Sequence, residues 1–118
     1  VKACAAAKTP IVSCMGAGNK LDPTAFEVTD IYRTKVCPLA KVMRKLCREN
    51  GIERLKVVYS REIPIAAAQS ETATKREGAY KPRVPGSVAF VPSVAGLIAA
   101  GEAVKAIAGV YGNGIDRS

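Results

Sequence analysis

The stretch Thr9–Thr24, TPIVSCMGAGNKLDPT, decides how the chain is read. It opens on a short apolar, β-forming run, Ile11-Val12-Ser13-Cys14-Met15, breaks into Gly16-Ala17-Gly18, and closes on Asp22-Pro23-Thr24, a strong turn signal. A buried strand that runs into a small-residue loop is how α/β sheets build ligand crevices, because ligands sit outside the carboxyl ends of the strands. Two glycines flanking an alanine allow a second backbone or a phosphate to come close. The plain alternative is a strand followed by a turn that binds nothing.

Upstream, Val1–Lys8 (VKACAAAK) reads as the tail of a helix that lacks an N-cap residue and is stopped by Thr9-Pro10. The expectation is that the chain is part of a longer protein. Downstream, Phe26–Ile31 alternates and predicts a strand with one buried face, followed by a basic connector, Tyr32–Val36. Pro38 suits the first position of a helix. Leu39, Val42, Met43 and Leu46 then form an amphipathic stripe opposite Lys41, Arg44, Lys45 and Arg48, with Gly51 as the terminating residue. Leu55–Ser60 is the next strand. Residues 66–86 carry no periodicity and read as a long loop, and Ser87–Val91 is a short β-prone run. A helix from Pro92 or Ser93 to about Ala108 ends at Gly109, and residues 111–118 form a tail. That last helix is apolar enough to be buried, and Gly96 and Gly101 within it predict close packing against a neighbour. The fold expected is α/β, the second half of a sheet protein, with one sheet face poorly covered.

The 118 residues suffice for one domain. Apolar content is 48% with aromatics at 5%, which favours helices on a sheet over an aromatic-rich sandwich. Eighteen Lys and Arg against ten acids give +8, a balance suited to a polyanionic partner, nucleic acid first. Cys4, Cys14, Cys37 and Cys47 form no C-x-x-C pair and the chain has no histidine. The usual zinc spacing is therefore missing, as are the parts for Ser-His or Cys-His nucleophilic catalysis. The expectation is reduced thiols in a cytoplasmic protein. The longest apolar run, Val94–Val110, carries Glu102 and Lys105 near its middle, which argues against a membrane span.

Three segments together carry a family resemblance: Met15–Thr24 (MGAGNKLDPT), Asp30–Lys41 (DIYRTKVCPLAK) and Ala89–Ile98 (AFVPSVAGLI), with VVYSRE at 57–62 between the second and third. In this order they resemble the carboxyl-terminal half of the ThiF/MoeB/HesA superfamily, in its tRNA threonylcarbamoyladenosine dehydratase (TcdA-like) branch. The resemblance covers most of residues 1–110. It implies the carboxyl-terminal part of a Rossmann-like mixed-sheet fold of the ThiF/MoeB type, with the amino-terminal nucleotide-binding half missing. It also implies an enzyme that uses ATP and Mg²⁺ to adenylate a carboxylate, in this branch the threonyl carboxylate of a modified tRNA adenosine, which then cyclises. Most of the catalytic residues would lie outside this chain, which alone would be inactive. Related branches activate a ubiquitin-like sulfur carrier, and many hold a zinc on two C-x-x-C pairs that this chain lacks. Two positions depart from the family pattern: Cys37 stands where an Asp is expected before the helix, and Arg33 where Lys is common. Cysteine is a poorer cap, and a thiol at a helix start can be activated.

The resemblance places Gly16, Ala17, Gly18, Asn19 and Lys20 beside the activated carboxylate. Asp22 is either a ligand or the cap of its own turn. Between Arg33 and Arg61 nine basic residues face only Glu49 and Glu53, a net +7. Arg33, Lys35, Lys41, Arg44, Lys45, Arg48 and Arg61 are the candidates for tRNA backbone contact, because phosphate neutralisation requires clustered cations. The plain alternative is a solvated helix face. Lys75, Arg76, Lys81 and Arg83 in the 66–86 loop could close over a substrate, with a disordered loop as the plain alternative. A non-catalytic module that binds RNA by charge and dimerises through the last helix is the rival of a different class, and self-association, as a homodimer, is expected in either case.

Overall fold

Lys56–Ser60 (β3) is the strand around which the rest is arranged. In the computed structural model, which describes residues 1–65 and 86–110, β3 pairs in parallel with Val12–Cys14 (β1) and antiparallel with Phe26–Asp30 (β2). The strand order is β1-β3-β2, a mixed three-stranded sheet. Val12 lies opposite Lys56 and Cys14 opposite Val58, while Val28 also lies opposite Val58 from the other side.

Val57, Val58, Tyr59 and Ser60 are each at most 1% exposed. Such a strand is covered on both faces, and its sequence KVVYS accordingly reads as a nearly continuous apolar run. The helix Pro38–Glu49 (α2) covers the face that carries Val57 and Tyr59, in one core with Met15, Ile31, Cys37, Ala40, Cys47 and Leu55. The helix Pro92–Ala108 (α3) covers the other face, where the Cys14 thiol lies 3.6 Å from the Ala95 carbonyl oxygen and Glu102 reaches Lys56. The expectation of one poorly covered face is therefore corrected: each face of β3 has its helix. Among the described residues, β1 and β2 each keep one unpaired edge. The short helix Lys2–Ala7 (α1) buries none of its residues and ends on Lys8, whose backbone is left-handed.

Several local readings change. Phe26–Asp30 is half-buried throughout, with no single buried face, because β2 is an edge strand. The buried residue is Ile31, which begins a 3-10 turn over Ile31–Arg33 capped by the Asp30 carboxylate on the Tyr32 amide at 2.9 Å. The connector also closes tightly at Lys35–Cys37, where the Cys37 amide bonds the Lys35 carbonyl at 2.6 Å and Val36 sits at φ +52°, a strained conformation for a β-branched residue. Ser87–Val91 is no strand. It leads into a turn closed by the Val91 amide on the Val88 carbonyl at 3.2 Å, which hands the chain to Pro92. Helix α2 has the predicted limits and only part of the predicted inner face: Met43 packs half-buried on the core beside buried Ala40 and Cys47, while Leu39, Val42 and Leu46 are about half exposed. Helix α3 ends as expected on left-handed Gly109, yet Leu97, Val104 and Ile107 are exposed. A Cβ at Gly96 or Gly101 would meet nothing within 4 Å, so neither glycine marks a close approach among the described residues. The long loop with Lys75, Arg76, Lys81 and Arg83, and the tail 111–118, lie outside the described residues, apart from Gly86.

Candidate functional site

Two loops leave the carboxyl ends of the parallel pair, Met15–Asp22 after β1 and Arg61–Ile65 after β3, and they are tied to each other. The Glu62 carboxylate accepts from the Leu21 amide at 2.9 and 3.1 Å and from the Asp22 amide at 2.8 Å, while its own amide donates to the Ser60 hydroxyl at 3.1 Å. Asn19, at φ +56°, donates its amide to the Gly86 carbonyl at 2.8 Å and accepts from Ile65 through its own carbonyl at 2.8 Å. The Gly86 amide in turn donates to Asn19 Oδ1 at 3.1 Å. The left-handed residue of this loop is thus an asparagine, a type that tolerates such a backbone.

Gly16, Ala17, Gly18 and Asn19 are half-buried at the rim, whereas Lys20 turns inward. Lys20 is only 3% exposed and its ammonium donates to the Gly16 carbonyl at 2.8 Å. It staples the loop that it was expected to line. Among the described residues the amides of Gly16, Ala17 and Gly18 meet no protein acceptor. Asp22 is exposed, and its Oδ1 accepts from the Thr24 amide at 2.8 Å and the Thr24 hydroxyl at 2.5 Å. These two bonds hold its carboxyl below the usual aspartate range. Asp22 gives Oδ1 to its own turn and Glu62 spans two amides with both oxygens, so the loop leaves at most Asp22 Oδ2 open to a Mg²⁺. Among the described residues no group of three or more acidic, Cys or His side chains could hold a metal. These residues do not fit a Mg²⁺ site.

Cys37 caps α2 without any side-chain hydrogen bond and is buried against Gly16, where an added Cβ would lie 3.9 Å from the Cys37 sulfur. All four thiols are free, and burial pushes those of Cys14 and Cys47 upward. Of the four, Cys37 is placed to shape the loop by packing.

The basic residues divide into two sets. Arg33, Lys35, Lys41, Lys45 and Arg48 are exposed. Lys41, Lys45 and Arg48 follow one another at i, i+4 and i+7 along α2, and Arg48 lies 5.5 Å from the centre of the Tyr32 ring, next to Arg33 in sequence. Among the described residues Lys45 has a loose pair with Glu49 at 4.0 Å. By contrast Arg44 is spent on the Thr34 carbonyl and hydroxyl at 2.8 and 2.5 Å, and Arg61 on Glu27 at 3.0 Å. Sequence reasoning missed the role of Glu62, the residue that joins the loops: VVYSRE entered the family likeness, but nothing in it assigns a task to its acid. Only its position just past the end of β3 hinted at a role.

No protein-family model matches the chain. A tRNA threonylcarbamoyladenosine dehydratase of Bacillus subtilis is 41% identical over 111 residues, covering 88% of this chain and 43% of that protein. A second, tRNA threonylcarbamoyladenosine dehydratase 2 of Saccharomyces cerevisiae, is 42% identical over 55 residues, 46% of this chain and 12% of its own. Among solved structures, Escherichia coli TcdA in complex with AMP superposes with a TM-score of 0.71 at 26% identity, over 92% of this chain and 42% of TcdA. The same protein in complex with ATP gives 0.72 at 24% identity, a likeness of fold. The chain spans less than half the length of these relatives. In sequence and in fold it is TcdA-like over that stretch.

Proposed function

We propose that this chain works as the carboxyl-terminal half of an ATP-dependent enzyme that cyclises threonylcarbamoyladenosine in tRNA, over a ThiF-type domain spanning 1–110. The observation that carries the reading is the 41% identity to a tRNA threonylcarbamoyladenosine dehydratase, read together with a bonded loop at the carboxyl ends of β1 and β3. ATP supplies the adenylyl group that makes the carboxylate electrophilic. The chain's own part is to present the amides of Gly16, Ala17 and Gly18 to a carboxylate or phosphate oxygen, on a loop stapled by Lys20 and joined to the next by Glu62. Any Mg²⁺ is held by residues elsewhere. The tRNA backbone runs along Arg33, Lys35, Lys41, Lys45 and Arg48, with Arg44 and Arg61 contributing structure rather than contact.

The test is cyclisation. The protein expressed from its complete reading frame, given ATP and tRNA bearing threonylcarbamoyladenosine, yields the cyclic nucleoside and AMP, while these 118 residues alone yield neither. Capture of a ubiquitin-like carrier without tRNA affinity would support the sulfur-carrier branch instead. Substituting Lys41, Lys45 and Arg48 by Ala weakens tRNA binding and reduces the slope of log affinity against log salt by about 2 to 3, the loss of three phosphate contacts. The exposed apolar face of α3 supports self-association: sedimentation of Ile107→Glu should show a smaller species than the parent.

A further inference from the structure

Asn19 stands where three separate segments meet at the carboxyl end of the sheet. Its amide and Oδ1 close a reciprocal pair with Gly86, at 2.8 and 3.1 Å, and its carbonyl holds the Ile65 amide at 2.8 Å. Ile65 belongs to the loop after β3, and Gly86 to the stretch that leads into α3. The residue itself lies in the loop after β1, one step from Lys20, whose ammonium reaches back to Gly16. Asn19 thus joins the other two segments directly and adjoins in sequence the residue that ties the loop back onto Gly16.

We infer that Asn19 is a positioning residue that sets the place of the Gly16–Gly18 amides by holding all three segments at once. The inference rests on the proposed reading that those amides face the activated carboxylate. The residue type matches the task. Its backbone is left-handed at φ +56°, which Gly and Asn accept with little strain and most other side chains do not. Glycine would keep the two backbone bonds but lose Oδ1, alanine would lose Oδ1 and strain the backbone, and aspartate would keep both the acceptor and the conformation. No ligand contact by Asn19 is required, since displacing reacting groups by about 1 Å is enough to slow a reaction about 100-fold.

The experiment is a three-member series in the protein expressed from its complete reading frame, assayed per folded molecule for cyclisation with ATP and modified tRNA. Asn19→Asp should stay within about threefold of the parent in kcat, Asn19→Gly should fall about tenfold and Asn19→Ala about 100-fold, with KM for ATP moving less than about threefold throughout. Parental kcat in all three, or Asn19→Asp as damaged as Asn19→Ala, would overturn the inference. Amide hydrogen exchange decides independently of turnover. The Ile65 and Gly86 amides should exchange at least about tenfold faster in Asn19→Ala while that of Val58 is unchanged, and unaltered protection of Ile65 and Gly86 sinks the inference. A parent that cyclises nothing, with the exchange result as expected, rejects the proposed reaction and leaves the three-segment clasp standing.

Discussion

At the carboxyl ends of β1 and β3 the chain is held by polar bonds, Glu62 to Leu21 and Asp22 and Asn19 to Gly86 and Ile65. At their amino ends α1 and α3 instead flank a groove of ≈ 770 Å³ whose walls include Cys4, Pro10, Ile11, Leu55, Ala106 and Ile107. The one buried acid there, among the described residues, is Glu102, 7% exposed, which holds Lys105 at 2.7 Å and Lys56 at 3.6 Å. The same two strands thus end in two loops bonded to each other on one side and, on the other, in a mostly apolar groove that also carries Lys8, Arg54 and the Glu102 cluster, with Leu55 bonded to Ile31 and Asp30 at 2.8 and 3.1 Å. Directional bonds fix the position of backbone groups, which a binding loop requires, whereas apolar contact fixes only burial. The tie between two loops, made by Glu62 and Asn19, is what sets the carboxyl end apart, and it is the reason that end is proposed as the site.

Perturbing the strand common to both ends should cost the most. Tyr59, 1% exposed with its hydroxyl on Glu27 at 3.1 Å, leaves a large void when replaced by Ala. Urea unfolding should show a loss of about 3 to 4 kcal/mol. A loss under about 1 kcal/mol, the range of an ordinary surface change, would mean that β3 is not the shared core. Next comes Glu62→Ala, which frees two loop amides; the expected loss is about 1.5 to 2 kcal/mol, accompanied by weaker nucleotide-dependent activity. Glu102→Gln should cost about 1 kcal/mol, discounted because Lys56 and Lys105 keep partial access to water, and should leave the carboxyl-end activity intact. Equal damage to activity from Glu62→Ala and Glu102→Gln would erase the distinction between the two ends.

The smallest effect concerns pH. Asp22 is hydrogen-bonded through Thr24, so its folded carboxyl titrates below its unfolded one. Its contribution is complete above the unfolded value of about 3.9 and is lost as pH falls through the lower folded value. Below roughly pH 4, Asp22→Asn should flatten the stability curve slightly, and an unchanged curve would remove Asp22 from the carboxyl-end bonding.

The elements were largely legible from the chain. Pro38 and Gly51 bracket α2, Gly109 ends α3, and the run at Ile11–Met15 gives β1. The sidedness of the helices was not. Leu39, Val42 and Leu46 form the more regular stripe, yet α2 presents Ala40 and Cys47 to the sheet because small residues let it lie close over Val57 and Tyr59. Likewise α3 is apolar on every side, so its composition could not say which side meets the sheet. The geometry of the loop proposed as the site was half legible. GAGNKLDPT located the loop, but the inward turn of Lys20 and the role of Glu62 depend on residues 4 and 40 positions away in the chain.

By itself the sequence determined the α/β class, the order of elements, the helix ends and the family likeness, since periodicity, proline, glycine and short motifs act over a few neighbouring residues. Only the tertiary structure decided which cations of the described residues are spent on protein partners, that Glu62 is committed to two loop amides, and that Asn19 joins three segments. Those outcomes depend on distances between groups far apart along the chain, which become defined once β1, β2 and β3 are in register.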